Sequence, residues 1–222
     1  MNNISKTIGW ADWSWNPIMG CANNCQDFKC YAEAMNKRFK WIEQWNRPEF
    51  FEDRLQDPYK KKKGAKIFVG SMCDIFSEGV DQRWIYAILK VVEENPHHTF
   101  MFLTKKPMKY KSYTWPENAI LGITITSNAD WDRSNWFLRS VNHTNNKLFI
   151  SLEPLLGPVD AFDFQSMYIN HRLSLLIVGA ETGPSAIIPE KKWLCTIRHP
   201  NIYWKKNILK HYPELNYEEY KR

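Results

Sequence analysis

Three of the five cysteines lie close together near the start of the chain, at Cys21, Cys25 and Cys30, with the spacing C-x3-C-x4-C. Thiolates are soft ligands, which select zinc, copper(I) or iron-sulfur clusters over hard cations. A structural zinc ion would need four ligands, and Cys73 is the obvious fourth if its segment lies close by. In an iron-sulfur cubane, three cysteines would hold three irons and leave the fourth iron open. The cysteines therefore predict a metal centre without fixing its metal.

Other uses of these cysteines fit less well. A thiol-based redox protein is disfavoured because no C-x-x-C pair is present. Loop thiols without any metal are also disfavoured, since close clustering in a reducing compartment is rare without a use. We expect Cys195, the remaining cysteine, to be buried.

The residues around the cysteines predict a loop that opens into a helix. The pair Asn16-Pro17 and then Gly20 disfavour regular structure just before Cys21. The segment that begins at Cys30 has the composition of a helix start. A helix N-terminus favours the thiolate form of a cysteine, which we expect here for Cys30.

The composition predicts one globular domain over residues 1–222. The chain is 44% apolar and 15% aromatic, which is ample for a packed core. The start of the chain has no apolar leader region, and no stretch approaches the ~20 apolar residues of a membrane span. We therefore expect a cytoplasmic protein with no membrane contact, in which the cysteines stay reduced.

The charge balance points to an acidic partner. The formal net charge is +6 and the pI about 9.0, which favours nucleic acid as a candidate partner. The run 60–63 is four lysines, which we interpret as a solvated loop rather than a binding patch. Some of the eleven tryptophans could stack on bases, although most should line the core.

Strand and helix patterns alternate along the chain, which predicts a parallel sheet with helices packed outside it. The predicted strands cover 13–16, 66–70, 98–103, 119–126, 147–152, 173–179 and 202–204. The predicted helices cover 31–45, 84–92, 130–140, 162–168 and a turn around Trp193, with Pro48 ending the first. A charged tail follows the last strand.

Polar residues follow each predicted strand, and the carboxyl ends of parallel strands commonly carry the functional site. These residues are Ser71, Asp74, Thr104, Lys105, Thr124, Ser127, Asn128, Ser151, Glu153, Glu181 and Thr182. Any one of them can equally be a helix cap or a turn residue. The two glutamates beside apolar strands need a cationic partner, either a cationic ligand or a lysine, for which Lys105 and Lys205 are candidates.

Several sequence blocks together resemble a known family. They are WNPIMGC (15–21), CYAE (30–33), FVGSMCDIF (68–76), FLTKKP (102–107), NAILGIT (118–124), SLEPLLGP (151–158) and GAETGP (179–184). In this order they resemble the three-cysteine-motif proteins, a phage and bacterial family of unknown function related to the radical S-adenosylmethionine (SAM) superfamily.

The resemblance implies a fold, two cofactors and a reaction. The fold would be α/β, a partial (β/α)6-type barrel of the radical SAM kind, and Cys21, Cys25 and Cys30 would hold a 4Fe-4S cluster. SAM would chelate the open iron, and one electron from a flavodoxin- or ferredoxin-like donor would cleave SAM to methionine and a 5'-deoxyadenosyl radical. That radical would abstract hydrogen from a substrate, for which nucleic acid undergoing modification or repair is a candidate.

The resemblance also implies contacts to SAM. Ser71 and Asp74 would meet its amino group. Ribose or carboxylate contacts would come from Thr124, Ser127 or Asn128, and Glu153. Glu181 would lie near adenine or substrate.

The cysteine loop departs from the superfamily pattern, which is C-x3-C-x2-C with an aromatic residue before the last cysteine. Here Lys29 precedes Cys30, and Gln26-Asp27 can be read as a two-residue insertion. Phe28 or Tyr31 would then cover the adenine. The Lys-Gln pair that the family has near its C-terminus is replaced by two lysines at 205–206.

A radical SAM enzyme is thus the first hypothesis for this chain. The alternative is a non-catalytic nucleic-acid-binding protein in which a zinc ion or an iron-sulfur cluster only stabilises the fold.

Overall fold

The structure is a computed structural model that describes residues 1–25, 28–183 and 186–216. The chain divides into two compact units. The first unit comprises Met1–Lys106 and Tyr113–Ile120, and the second comprises Pro107–Ser112 and Leu121–Arg222. The assignment of 1–222 to one domain stays a prediction.

The first unit is built on parallel strands. Its strands are β1 (Asn2–Asn3), β2 (Trp13–Trp15), β3 (Ile18–Met19), β4 (Glu49–Phe50), β5 (Lys66–Val69) and β6 (Thr99–Thr104). Its helices are α1 (Tyr31–Phe39), α2 (Gln82–Glu93) and the 3-10 helices Glu52–Gln56 and Pro58–Lys60. β5 pairs in parallel with both β2 and β6, whereas β1 is antiparallel to β2. The segments that follow β2, β5 and β6 therefore leave from the same edge of this sheet.

The core of the first unit forms between this sheet and α2. The Asp81 side chain caps α2 by accepting a hydrogen bond from the Arg83 N–H. Ile85, Ile88 and Leu89 recur at helical spacing and are buried, as are Phe100 and Phe102 of β6. This packing matches the predicted alternation of strand and helix.

The first predicted helix is wrong in its length, because α1 ends at Phe39 instead of reaching Trp45. Asn36 causes the early end, since its side-chain amide donates to the Ile42 carbonyl (3.0 Å) and accepts from the Ile42 N–H (3.1 Å). Lys40 then takes a left-handed conformation with φ 52°. The apolar residues of this segment thus lie partly on an exposed helix face and partly in the loop that follows it.

A short antiparallel pair of strands was not predicted. Ile18 and Met19 pair with Phe50 and Glu49, in a region where the sequence predicted no regular structure. Gly20 follows with φ +90°, and a Cβ there would lie 2.9 Å from the Trp45 carbonyl oxygen. Only glycine fits where the chain enters the cysteine loop.

The second unit is also α/β. Its strands are the last four residues of β7 (Ala119–Thr124), β8 (Leu148–Leu152), β9 (Leu173–Val178) and β10 (Ile202–Trp204). Its helices are α3 (Trp131–Ser140), α4 (Phe164–His171), α5 (Lys191–Leu194), α6 (Lys206–Leu209) and the 3-10 helices Pro107–Ser112, Asn128–Asp130 and Pro213–Asn216. β7 to β10 pair in chain order, all in parallel.

Several bounds in the second unit differ from the predicted ones by one to three residues. β7 ends at Thr124 because the Asp130 carboxylate accepts from the Thr126 N–H (2.6 Å) and hydroxyl (2.9 Å), which turns the chain. α4 starts two residues late, after Asp163, whose side chain accepts from the Ser166 N–H. Short helices occupy part of the predicted C-terminal tail, of which 217–222 lie outside the described residues.

The mixed α/β class with mostly parallel strands is confirmed within each unit. Among the described residues, no helix is long and apolar enough to cross a membrane.

Candidate functional site

The cysteine loop is fixed to the first unit by hydrogen bonds from the backbone N–H groups of its first cysteine and of the next residue. The Cys21 N–H donates to the Trp45 carbonyl (2.7 Å), and the Ala22 N–H donates to the Ser77 hydroxyl (2.7 Å). Cys30 is the N-cap of α1, as predicted. The loop is thus tied to the segment after β5 and ends at a helix start.

The three loop thiols share one electrostatic environment. Cys21, Cys25 and Cys30 are free and half-buried. Burial raises the pKa of the Cys25 thiol; the Lys105 ammonium opposes this shift, while Cys30, Cys21 and Asp74 add to it. The charges of the other two loop thiols, of Asp74 and of Lys105 thus all influence the Cys25 thiol.

Cys73 lies near the loop but is more deeply placed. It is buried, and its S–H donates to the Asp74 carbonyl oxygen (3.1 Å). Burial raises the pKa of Cys73 well above its usual value, and the charge of Cys21 adds to the shift. Cys195, which we expected to be buried, is half-buried in the second unit.

Asp74 connects three segments through its two carboxylate oxygens. Oδ1 accepts from the Thr104 hydroxyl (2.7 Å) and the Phe76 N–H (3.1 Å). Oδ2 accepts from the Lys105 N–H (2.8 Å) and from Nδ2 of Asn23 (2.9 Å). A carboxylate has about four acceptor positions, so Asp74 is fully engaged by the protein itself.

Asn23 is a candidate site residue that the sequence did not reveal. Its Nδ2 must face Asp74, because a carboxylate can only accept, and its Oδ1 therefore points elsewhere. Oδ1 is buried and has no hydrogen-bond partner in the described part of the chain. A buried acceptor without a donor costs about 1–3 kcal/mol, so Asn23 is a candidate contact for a bound group that carries a donor.

Ser71 and Tyr31 contact each other at the same edge of the sheet. The Ser71 hydroxyl donates to Oδ1 of Asn16 (3.1 Å), which also accepts from the Met72 N–H (3.1 Å). The Tyr31 hydroxyl donates to the Ser71 carbonyl oxygen, and about half of the Tyr31 side chain is exposed. The predicted gathering of Ser71, Asp74 and the cysteine loop is thus observed within the first unit.

Phe28 and Lys105 form the other aromatic contact of the loop. The Lys105 ammonium lies 5.3 Å from the centre of the Phe28 ring, within cation-π range. Lys105 thus lies with the loop, and among the described residues it forms no ion pair with a glutamate. Gln26 and Asp27, which we interpreted as an insertion, lie outside the described residues.

A second polar cluster lies in the second unit. Lys205 forms a partly buried ion pair with Glu153, as the sequence suggested. The Glu153-Pro154 peptide bond is cis. Gly179 lies against this ion pair. The Asn207 side chain fixes the following residue, Ala180, by accepting from its N–H (3.3 Å) and donating to its carbonyl (2.7 Å).

Two other predicted SAM contacts of the second unit act as turn residues. The Ser127 side chain accepts from the Ala129 N–H (3.3 Å) as the cap of a 3-10 helix. Asn128 donates to Asp160 (2.6 Å) and accepts from the Ala161 N–H (3.1 Å). These contacts match the alternative in which polar strand ends are caps or turns.

The last two predicted contacts differ in exposure. Thr124 is buried at the end of β7, where its carbonyl accepts from Arg133 (3.0 Å). The Glu181 carboxylate is half-exposed and accepts from the Ile187 N–H (3.1 Å). The gathering of both units' polar strand ends at one rim stays a prediction.

The donor set of the cysteine loop fits a soft metal centre. Three half-buried thiols belong to one loop, and an acceptor without a donor among the described residues lies in the same loop. Over the described residues, no group of three or more His, Cys, Asp or Glu side chains is already arranged around an ion position. Binding would thus bring the thiols into coordination distance, as is usual when metal binding couples to local folding.

No curated protein and no solved structure matches the chain. A family model does match, over residues 5–204 and so over most of the chain. Its description gives no function, and neither the three-cysteine motif nor radical SAM chemistry is tested by the match. The chain belongs to this family, the one described as "Protein of unknown function (DUF5131)".

Proposed function

We propose that this protein is a radical SAM-like enzyme that holds a 4Fe-4S cluster on Cys21, Cys25 and Cys30. The observation that carries the proposal is one loop that holds three free, half-buried thiols and is fixed by hydrogen bonds at the edge of a parallel sheet. Once reduced by a flavodoxin- or ferredoxin-like donor, such a cluster supplies one electron that cleaves bound SAM to methionine and a 5'-deoxyadenosyl radical, which takes hydrogen from a substrate.

The first task of the protein is to hold the cluster ligands. Hydrogen bonds at Cys21 and Ala22 fix the start of the loop, and the Asn23–Asp74 contact fixes its middle. The Lys105 ammonium offsets part of the negative charge that three thiolates bring together.

The second task is to orient SAM. The buried Oδ1 of Asn23 is an acceptor suited to the SAM amino group, and Asp74 positions it. This assignment shifts the amino-group contact from Asp74, whose oxygens are engaged, to Asn23. About half of the Tyr31 side chain is exposed and its hydroxyl donates to the Ser71 carbonyl oxygen, so its ring is a candidate to stack on adenine. Phe28 is the second aromatic candidate for this contact.

The remaining features of the hypothesis are parts of the same proposal. The fold would be a partial (β/α)6-type barrel, which the parallel strands within each unit support. Glu153 and Glu181, with Thr124, would contribute to the ribose, carboxylate or substrate contacts. The protein would act in the cytoplasm.

One observation favours a second candidate function, a non-catalytic zinc protein. The charge of Cys21 adds to the raised pKa of Cys73, so Cys73 is the candidate fourth thiol of such a site. However, Cys73 is buried and its S–H already donates to a backbone carbonyl, which favours three ligands over four.

Anaerobic reconstitution with iron and sulfide tests the proposal. We expect iron and sulfide in cubane proportion, an electron paramagnetic resonance signal after reduction, and a change in that signal when SAM is added. Cys25→Ala should lose the signal, and Asn23→Ala should keep it but weaken the response to SAM. Stoichiometric zinc, with no iron-sulfur signal in the wild-type protein, would contradict the proposal.

A further inference from the structure

The outer face of α1 is an exposed apolar stripe. Tyr31, Met35 and Phe39 stand four residues apart, so they share one side of the helix, and Trp41 follows just after its end. Their exposed fractions are 51%, 40%, 48% and 43%. The buried residues of this helix, Ala32 and Asn36, each follow a stripe residue by one position and so lie on an adjacent face. A run of large exposed apolar side chains on one surface is typical of a binding site.

Two rings of the stripe are held parallel. The Phe39 and Trp41 ring centres are 5.0 Å apart with an angle of 17° between the planes. The Arg38 guanidinium carbon lies 5.1 Å from the Phe39 ring centre. Stacked rings with a cation beside them present a flat, rigid platform to a further planar group.

Positive charge flanks this platform. Lys37, Arg38 and Lys40 are all exposed at the end of α1. Lys37 pairs with Glu33 over 2.8 Å, which neutralises the acidic residue of the helix and leaves Arg38 and Lys40 as the excess charge. The whole chain carries a formal net charge of +6, so it also attracts an anionic ligand at long range.

We infer that this stripe binds single-stranded nucleic acid. Exposed aromatic rings take bases by stacking irrespective of sequence, and adjacent cations contact the phosphates. A planar stacked pair beside a guanidinium matches a base and a phosphate better than it matches an acidic protein surface. The stripe starts at Tyr31, directly after Cys30, so a bound strand lies beside the cysteine loop. Nucleic-acid binding itself does not depend on the proposed enzyme function. The conclusion that the bound strand is also the substrate rests on that function.

The test is fluorescence anisotropy with labelled deoxythymidine and uridine oligonucleotides of about 12 nucleotides. We expect Phe39→Ala combined with Trp41→Ala to weaken binding roughly tenfold or more, since base stacking is lost. Arg38→Gln combined with Lys40→Gln should reduce the slope of log affinity against log salt by about 1.4. Trp136→Ala is the matched control, because Trp136 is also exposed beside a cation, Arg139. This substitution should leave the affinity for the oligonucleotides unchanged.

Circular dichroism of each variant checks that it is folded, and the charge variant gives a result even if the ring variant unfolds. Wild-type affinity in both variants would overturn the inference, as would binding of an acidic protein but of neither oligonucleotide. SAM cleavage without oligonucleotide binding would overturn this inference alone. Oligonucleotide binding without a cluster would overturn the enzyme proposal and leave this inference standing.

Discussion

Nδ2 of Asn23 lies 2.9 Å from Oδ2 of Asp74 and donates a hydrogen bond to it. This bond ties the middle of the cysteine loop to the segment after β5, and the same carboxylate reaches the end of β6 through Thr104 and Lys105. The carboxyl ends of neighbouring strands and the thiol loop are thereby held by one side chain.

Asp74→Asn should destabilise the protein by about 1–3 kcal/mol, because the new amide NH2 group cannot accept and leaves part of the donors at this position unpaired. Urea unfolding measures the change. Asp53→Asn is the matched control, since Asp53 is exposed on the 3-10 helix Glu52–Gln56, and its effect should stay below about 0.5 kcal/mol. Equal stabilities of the two variants would show that Asp74 is not the connecting residue.

Cys73→Ala should leave the iron and sulfide content of the reconstituted protein unchanged, because Cys73 is buried and donates to a backbone carbonyl. Cys25→Ala should abolish that content. Metal and sulfide analysis of both variants, with Cys195→Ala as the control, makes the comparison. Loss of metal from Cys73→Ala to the same extent as from Cys25→Ala would instead indicate a four-thiol site.

Gly179→Ala should lower stability by about 1–3 kcal/mol through overpacking. A Cβ there would lie 2.9 Å from Cδ of Glu153 and 2.9 Å from Cδ of Lys205, so the ion pair must shift. In a Lys205→Ala background one obstructing group is gone, and the penalty should shrink by more than about 0.5 kcal/mol. Additive effects in thermal or urea unfolding would contradict this account of the glycine.

Stability should fall in mild acid because of His199. It is buried, with Nε2 donating to the Leu173 carbonyl (3.0 Å) and Nδ1 accepting from the Asn201 N–H (3.0 Å). Burial lowers the pKa of His199 from its usual 6.5, and the backbone carbonyl contacts only partly oppose this. The unfolded chain therefore takes up a proton first, so stability is complete above pH 6.5 and declines as the pH falls below it.

His199→Gln removes this titration while keeping one donor and one acceptor. Urea unfolding at about pH 7 and about pH 5 should show a smaller loss of stability for the variant than for the wild type. Burial also lowers the pKa of His98, so His98 contributes a loss of stability in acid to both proteins. Identical losses in the two proteins would show that His199 does not carry the effect.

The sequence predicted the regular elements best where local pattern and packing agree. β5, β6 and α2 were placed within one or two residues, because their apolar residues are also the core residues. α1 was predicted too long, since Ile42 and Trp45 continue its helical spacing but lie beyond its end, where Asn36 binds the Ile42 backbone. The apolar residues inside α1, Tyr31, Met35 and Phe39, face solvent. An apolar residue in a sequence does not reveal which side of a helix the core occupies.

The site was predictable only in part. The cysteines and the Glu153–Lys205 pair follow from residue type and from the need to neutralise a charge beside apolar strands. Asn23 could not be found in this way, because a loop asparagine is unremarkable until its partner and its unpaired carbonyl oxygen are located in space. The capping roles of Ser127 and Asn128 likewise depend on the turn they stabilise.

The most direct test of the central claim is an assay for 5'-deoxyadenosine. The anaerobically reconstituted protein is reduced in the presence of SAM, beside Cys25→Ala treated identically. The account predicts 5'-deoxyadenosine and methionine in equal amounts from the wild-type protein and none from the variant. A wild-type protein that carries zinc and leaves SAM intact after reduction would contradict it.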